Sequence, residues 1–454
     1  MPCGRARAAA GLLALLAGAM NERGTPLVSA AAVGELNEPA LARLETADAD
    51  ALQLNAAHIR LAQLGSLKQR LTQDCALHIP AQPDHPSLDQ LAASYLGFLE
   101  RFQSVQQSVR GVDCARASAF RDNMVRAAAL TARPQDDAEY SAEHSPYGDM
   151  APEEFARTVL MQPLSVAAFP AASAQAAPAP KHIDAAAGDV DWTKHEGVVS
   201  LPQDQGSLGT CYAFAAAGNV EGQAAIKLGK GSGPLSVEHS LECDAMADPP
   251  HKNAVCGEFG GWPYLVFDFW KQAGGAVLAS DWPYCAGTLD KHLMPLCMPC
   301  MVTHYNRESC GEHDDFYCNA TSTLGQGPAG RCKDQQWLAS KRVAQVTGWQ
   351  RFDTDEELLA GQLAETGPLT ATMDATTLQL YRRGVANPWF CSKTSFNHSV
   401  LLVGFGTDAR SGKAFWKAKA SWGTKWGESG FFRIVRGKEK CGINRAVTGA
   451  TVAA

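Results

Sequence analysis

Apolar residues recur at alternating steps of three and four through Leu88, Leu91, Tyr95, Phe98, Phe102, Val105 and Val109, one continuous stripe along a helix. Pro86 and Ser87 open it and Gln90 completes a capping-box pattern, so the spacing predicts helix over 87–130, after an earlier helical stretch over 48–72. A second helix signal begins at Cys211: an alanine-rich, proline-free run in which Phe214, Val220 and Ile226 offer an apolar face and Gly229 and Gly231 supply a stop. The pattern then changes period. Phe396 to Gly406 is a β-rich apolar run with His398 near its start. Between these regions, residues 167–188 are Ala, Pro and Ser with almost no large apolar side chain, a linker by composition.

The 454 residues, 46% hydrophobic and 19% charged, suit two or three globular domains. A net charge of −7 with no basic run argues against a nucleic-acid partner. Met1–Ala19 reads as a secretory signal: Arg5 and Arg7 precede the apolar run Ala8–Leu16, and Ala17-Gly18-Ala19 is a small-residue cleavage site. An Arg- and Ala-rich start also fits an organelle transit peptide. The apolar run is too short to span a bilayer and no other segment qualifies, so no stable membrane insertion is expected once the signal is removed.

Of 14 cysteines, Cys3 leaves with the signal, Cys75 and Cys114 lie upstream of the linker, and eleven follow residue 191. Reserving Cys211 as a thiol leaves an even set, as expected of an oxidising compartment. Cys285, Cys297, Cys300, Cys310, Cys318 and Cys332 crowd a Gly- and Pro-rich stretch, which suggests a disulfide-stapled insertion over about 285–345. Cys297 and Cys300 with His304 and His313 would alternatively make a zinc site. Even parity and secretion favour disulfides, and neither a metal nor a cofactor is expected. Asn319-Ala320-Thr321 is a glycosylation sequon.

Cys211 carries the sharpest chemical signal. A glycine-broken loop, Gln205-Gly206-Ser207-Leu208-Gly209, delivers its thiol to the first turn of a helix, where unpaired N–H groups and the dipole favour thiolate. A lone cysteine on an apolar face is usually inert, but here the neighbours count against that. With Asp191-Trp192 before the loop, Asn397-His398-Ser399 and Ser421-Trp422-Gly423 after it, and Cys441-Gly442-Ile443 last, the chain resembles the papain-like cysteine proteases, the cathepsin family, over about 190–280 and 346–454.

The resemblance implies an α+β, two-lobed fold: a helical left lobe and a β-barrel right lobe, preceded by a helical propeptide domain. By matching positions it makes Cys211 the nucleophile, His398 the general base and acid, and Gln205 an oxyanion donor beside the Cys211 N–H. Such chemistry needs an imidazole that titrates near neutrality and two fixed donors. Gly260, Gly261 and Trp262 would form the substrate edge, Trp422 would shield the histidine, and Ala446 would floor an apolar pocket for a hydrophobic residue second from the scissile bond. Implied disulfides are Cys391–Cys441 and Cys243–Cys285. The spacing from Cys211 to His398, 187 residues, exceeds the family's roughly 130–150, and the Cys-rich insertion accounts for the excess.

Three positions depart from the pattern. Ala420 stands where the family places asparagine to hold the histidine, Leu208 replaces a cysteine, and Tyr212 replaces the commoner tryptophan. Leu208 leaves the partner of the missing cysteine, read here as Cys256, to bond elsewhere. Upstream, Arg116, Phe120 and Asn123 fall at the spacing of the inhibitory propeptides, and Tyr147–Phe155 resembles the segment that follows; Val112, Ala127 and Thr131 depart.

The expected organisation is therefore a signal over 1–19, an inhibitory propeptide over 20–166, a processed linker over 167–188 and a mature peptidase over 189–454. The expected function is that of a cysteine endopeptidase made as a zymogen, acting on peptide or protein substrates in the secretory pathway, lysosome or vacuole, or outside the cell. A pseudoprotease that keeps the groove but lacks the asparagine, and an exopeptidase gated by the insertion, are the alternatives.

Overall fold

A computed structural model describes residues 56–57, 59–77, 85–103, 112–171, 188–244, 246–284, 310, 332 and 334–453. The signal expected over 1–19, residues 172–187 of the expected linker, Cys285, Asn319 and most of the expected insertion lie outside the described residues. The chain divides into two compact units, 1–67 and 68–454. In the first, residues 59–67 are helical; Cys211 and His398 lie in the second.

The long helix expected over 87–130 is interrupted, and two helices are described within it. Helix α1 (Leu88–Phe102) starts with the full Ser87–Gln90 capping box and buries Leu91, Tyr95 and Phe98. It ends at Gln103, whose backbone is extended, and Asp113 starts α2 (Cys114–Thr131) by accepting from the N–H groups of Ala115 and Arg116. An aspartate at an N-cap favours a new helix start over continuation of the old one. Phe120 on α2 packs between Tyr95 and Phe98, with ring centroids at 5.0 and 5.3 Å. A Cys75–Cys114 disulfide anchors the start of α2.

The chain then runs through strand β1 (Glu139–Tyr140), helix α3 (Pro152–Thr158) and strand β2 (Leu164–Ser165). Two α2 side chains fix this descent. Arg116 makes a two-pronged ion pair with Glu154, and the buried Asn123 amide donates to the Gly148 and Met150 carbonyls at 3.0 and 2.8 Å. Losing that amide would leave the buried Gly148 carbonyl without its donor, at about 1–3 kcal/mol, while the Met150 carbonyl would keep a second donor in Gln379.

Helix α4 (Cys211–Leu228) stands at the centre of the molecule. It is buried on every side from Cys211 to Gly222, so the three-residue face read from the sequence understates it, and Ile226 is instead exposed. The small residues have a packing cause. A side chain at Gly218 would press on Leu401 and Lys419, and one at Gly222 on Val198 and Pro368. Gly229 ends the helix in the left-handed region. Helices α5 (Val237–Cys243) and α6 (Pro263–Ala273) follow in the helical lobe.

The other lobe is an eight-stranded sheet. Its strands are β3 (Val190–Asp191), β4 (Val346–Arg351), β5 (Leu369–Met373), β7 (Val385–Ala386), β9 (His398–Thr407), β10 (Ala414–Lys419), β11 (Phe431–Val435) and β12 (Ala446–Val452). They run β7-β11-β10-β9-β5-β12-β4, with β3 also on β9, and no described pairing closes β7 onto β4. Two short strands lie apart from it: β6 (Tyr381–Arg383) pairs with β1, and β8 (Ser395–Phe396) pairs with β2. The upstream segment is thus hydrogen-bonded to the sheet lobe at two places.

Cys391 bonds Cys441, and Cys256 bonds Cys310. The expected Cys243–Cys285 pairing is wrong: Cys243 bonds Cys332. Both Cys256 and Cys243 therefore reach into the 285–345 stretch. Among the described residues the insertion is thus stapled to the helical lobe at Cys310 and Cys332, and the chain spacing that distinguishes these pairings is not visible in cysteine order alone.

Candidate active site

Cys211 is the first residue of α4 and is wholly buried; among the described residues it is the free cysteine. Thr210 precedes it without a side-chain cap, because its hydroxyl is engaged by the Tyr284 hydroxyl at 3.0 Å. The loop before it is held from two sides. Tyr284 donates to the Gln205 carbonyl at 2.7 Å, and the Gly209 N–H donates to the Glu258 carbonyl at 2.7 Å. A side chain at Gly209 would crowd this clasp, since a Cβ would stand 3.0 Å from the Glu258 and Phe259 oxygens. This backbone clasp stands where Leu208 leaves the loop without a disulfide.

Across the interface, β9 begins at His398, and the next N–H, that of Ser399, donates to the Cys211 sulfur at 3.3 Å. Strand start and helix start thus meet, which places the backbone next to His398 against the Cys211 sulfur, although the two residues are 187 positions apart. Trp422 stacks on His398 at 4.4 Å and 23°, backed by Trp426 at 4.5 Å and Phe155 at 5.5 Å. Neither ring nitrogen of His398 has a partner among the described residues, and the buried Ala420 side chain cannot hydrogen-bond.

Gln205 is aimed. Its amide oxygen accepts from the Ser421 hydroxyl at 2.5 Å, and its backbone N–H donates to the Ser421 carbonyl at 2.8 Å. Its amide nitrogen therefore faces the cleft, where it donates to the Val159 carbonyl at 2.8 Å. Two residues on, the Met161 N–H donates to the Asn397 carbonyl at 2.8 Å, and Gln162 N–H reaches the Phe259 carbonyl at 3.3 Å. Residues 159–162 thus cross the cleft with hydrogen bonds to both lobes. Val159 and Leu160 pack into the core around Trp422, and Met161 into the core that holds Cys211, Trp262 and Ala446.

The glycines split in role. A Cβ on Gly260 would meet Met161 at 3.1 Å, whereas one on Gly261 would meet the Tyr212 ring at 2.9 Å. Gly260 leaves room for a chain in the cleft, and Gly261 leaves room for a neighbour on α4. Trp262 is covered by Phe169, with centroids at 5.1 Å.

Burial sets the protonation of the pair. It drives the Cys211 thiol up to about 12, against the opposing N–H groups of Ser399, Tyr212 and Cys211. The same desolvation drives His398 down to about 3. With the cleft covered, both groups are neutral and no thiolate is available.

The sequence reading missed Ser421, Asn397, Glu258 and Gln379. Ser421 and Asn397 sat inside quoted motifs, but their roles lie in orientation, which residue type alone does not reveal. Buried Gln379 takes a bond from Arg126 and gives two, to the carbonyls of Tyr147 and Met150, and no local pattern marks it.

Residues 186–451 match the family described as papain family cysteine protease. Cysteine proteinase 1 of Zea mays is 30% identical over 386 residues, covering 82% of this chain and 89% of that one. Cysteine proteinase 15A of Pisum sativum is 32% identical over 59% of this chain, and this chain spans 62% of its length. Mouse cathepsin F is 29% identical over 74% of this chain, which spans 60% of that protein. In fold, the chain is similar to digestive procathepsin L 3 of Tenebrio molitor (TM-score 0.54, 24% identity, 86% of this chain and 99% of that one). It is also similar to the ragweed pollen cysteine protease Amb a 11 in its proform (TM-score 0.57, 22% identity, 83% of this chain and 100% of that one).

Proposed function

Because the chain belongs to the papain family of cysteine proteases, we propose that it is a cysteine endopeptidase made as a zymogen, with residues 20–166 as its inhibitory propeptide. The observation that carries this reading is the peptide backbone lying in the cleft, with its Val159 carbonyl on the Gln205 amide and its Met161 N–H on the Asn397 carbonyl. A substrate backbone would use the same kind of contacts.

Once that segment leaves, water and a substrate replace it, and the His398–Cys211 pair is free to exist as imidazolium and thiolate. The thiolate attacks the scissile carbonyl carbon. Gln205 Nε2 and the Cys211 N–H receive the oxyanion, and His398 gives its proton to the leaving amine. The resulting thioester is hydrolysed by a water that His398 deprotonates. These steps draw only on the chain's own groups, the substrate and water.

Met161, Trp262 and Ala446 share one buried cluster, which supports an apolar pocket for the residue second from the scissile bond. Four disulfides among the described residues favour the secretory pathway, ending in a lysosome or vacuole or outside the cell.

The test is to incubate the full chain at mildly acidic pH with thiol and an epoxide that alkylates active-site cysteine. Labelling of Cys211 together with peptide turnover is expected, and Phe-Arg substrates should be cut faster than Arg-Arg. Labelling without turnover would support the second reading, a binding protein, which rests on the unpartnered His398 ring.

A further inference from the structure

Among the described residues, strand β6 has a single hydrogen-bonded neighbour, β1, which belongs to the upstream segment. The contact is chemically specific. Arg382 and Arg383 both pair with Glu139. Lys413 pairs with Asp137 at 2.7 Å and donates to the Gln135 carbonyl at 2.9 Å. Asn387 donates to the Asp136 carboxylate at 3.0 Å and to the Gln135 carbonyl at 2.8 Å. Gly384, at φ 92°, lacks a side chain where the Asp137 carbonyl passes, and a Cβ would stand 2.4 Å from that oxygen. Beyond it, Trp389 and Phe390 meet edge to face in the open, 70% and 48% exposed, with Arg133 over the Trp389 ring at 4.8 Å.

We propose that in the processed enzyme this face is an exosite, binding an extended acidic segment of a protein substrate as an added strand on β6. The proposal rests on the reading that residues 20–166 leave on activation. Their departure uncovers an unpaired strand edge, three cations and a glycine notch shaped to a passing backbone. The occupant's chemistry is given by the occupant now there, Gln135-Asp136-Asp137-Ala138-Glu139. Strand β6 carries neither Cys211 nor His398, so the site acts on affinity and leaves the chemical step alone.

The probe is a fluorescent peptide of residues 132–141. A cleavage site for an external protease, placed within 172–187, separates the upstream segment whether or not the chain cuts itself, and gel filtration at acid pH removes it. Anisotropy should then report binding of the peptide and no binding of its neutralised analogue, which carries Asp136→Asn, Asp137→Asn and Glu139→Gln. Binding of the acidic peptide to Arg382→Gln/Arg383→Gln enzyme should be about tenfold weaker. The same enzyme variant should raise KM for carboxymethylated α-lactalbumin, an unfolded acidic protein, by a similar factor. Turnover of a short neutral peptide should not change. Equal binding of the acidic and neutral peptides, or displacement by dextran sulfate as effective as by the acidic peptide, overturns the proposal. Failure to cut the short peptide would sink the protease reading alone, because the binding measurement does not depend on turnover.

Discussion

The Gln205 side-chain nitrogen donates to the Val159 carbonyl at 2.8 Å, so the donor assigned to a developing oxyanion is occupied by the chain's own backbone. One amide then serves two states, inhibitor-bound and catalytic. Gln205→Ala should therefore loosen the upstream segment and impair catalysis together. In processed enzyme kcat should fall by about 10²–10³, the usual effect of removing one such donor, with KM little changed. In the full chain, self-processing should not accelerate, because the released enzyme is itself slow; an external protease separates the two effects. A rise in KM with kcat intact would place Gln205 outside the oxyanion site.

Acid should release the segment, and the sign follows from His398. Covered, its imidazole stays neutral down to about pH 3. Uncovered, it takes up a proton near its ordinary value of about 6.5. Below that value the released state binds more protons, so acidification favours release, by up to about tenfold per pH unit until roughly pH 3. Glu139 works in the same direction at lower pH. Burial opposes its ionisation, but Arg383 and Arg382 hold its carboxyl below the usual range, so its ion pairs are lost as the pH falls through that range. Size-exclusion analysis of a nicked chain with Cys211→Ser should show dissociation growing from pH 6.5 to 4. Retention at pH 4 equal to that at pH 7 would refute the mechanism.

Intact zymogen should also resist alkylation across neutral pH. With the thiol at about 12, only about 10⁻⁵ of molecules hold a thiolate at pH 7. Iodoacetamide should label Cys211 rapidly only after the segment is removed, and mass spectrometry of the Cys211 peptide reads the difference.

Global stability should have the opposite pH sign, because a different set of groups dominates it. Burial and the neighbouring Glu238 raise Glu258 to about 8, and burial raises Glu242 to about 9, from ordinary values near 4.5. A carboxyl whose folded value is raised favours the fold while protonated, and that advantage is lost as pH climbs from 4.5 through the folded value. Between pH 6.5 and 8 the loss is up to about 2 kcal/mol per group. Both Glu258 oxygens lack a partner among the described residues, so Glu258→Gln removes an ionisation without removing a bond. The melting temperature of the full chain should fall from pH 6.5 to 8, and fall less steeply in Glu258→Gln. An unchanged slope would show that Glu258 is ionised in the folded state.

Much of this was legible in residue order, and the remainder has definite causes. The motif around Cys211 gave the helix start, and the stripe from Leu88 gave α1, because period and capping are local. The break before Asp113 was not visible, since Val105 and Val109 continue the stripe. Local pattern also overvalued Ile226, which keeps helical phase but lies past the part of α4 that the sheet covers. Cys332 as the partner of Cys243 was beyond reach, because disulfide choice depends on where an insertion returns. Gly260 and Gly261 look alike in sequence, yet one admits a chain and the other a tyrosine ring.

Ala420 is the position where chemistry and family pattern disagree most, and it yields the most direct test. His398 is held by Trp422 on one face, but among the described residues no hydrogen bond fixes its tautomer or in-plane rotation. A thiolate–imidazolium pair is already charged and depends less on a third partner than a neutral hydroxyl–imidazole pair, in which disabling that partner costs about 10⁴-fold. Ala420→Asn adds a carboxamide where the family pattern places the histidine's partner, and a cavity of about 20 Å³ borders Ala420 on the side of α4, giving the strand some freedom to adjust. The substitution should raise kcat on the order of tenfold, leave KM within about twofold, and move the alkaline limb of the rate profile upward, since an acceptor on the ring stabilises imidazolium. Ala420→Leu, similar in volume but unable to hydrogen-bond, should give no gain. Equal gains from Asn and Leu would assign the effect to packing, and no gain from Asn would mean that Trp422 stacking alone orients His398.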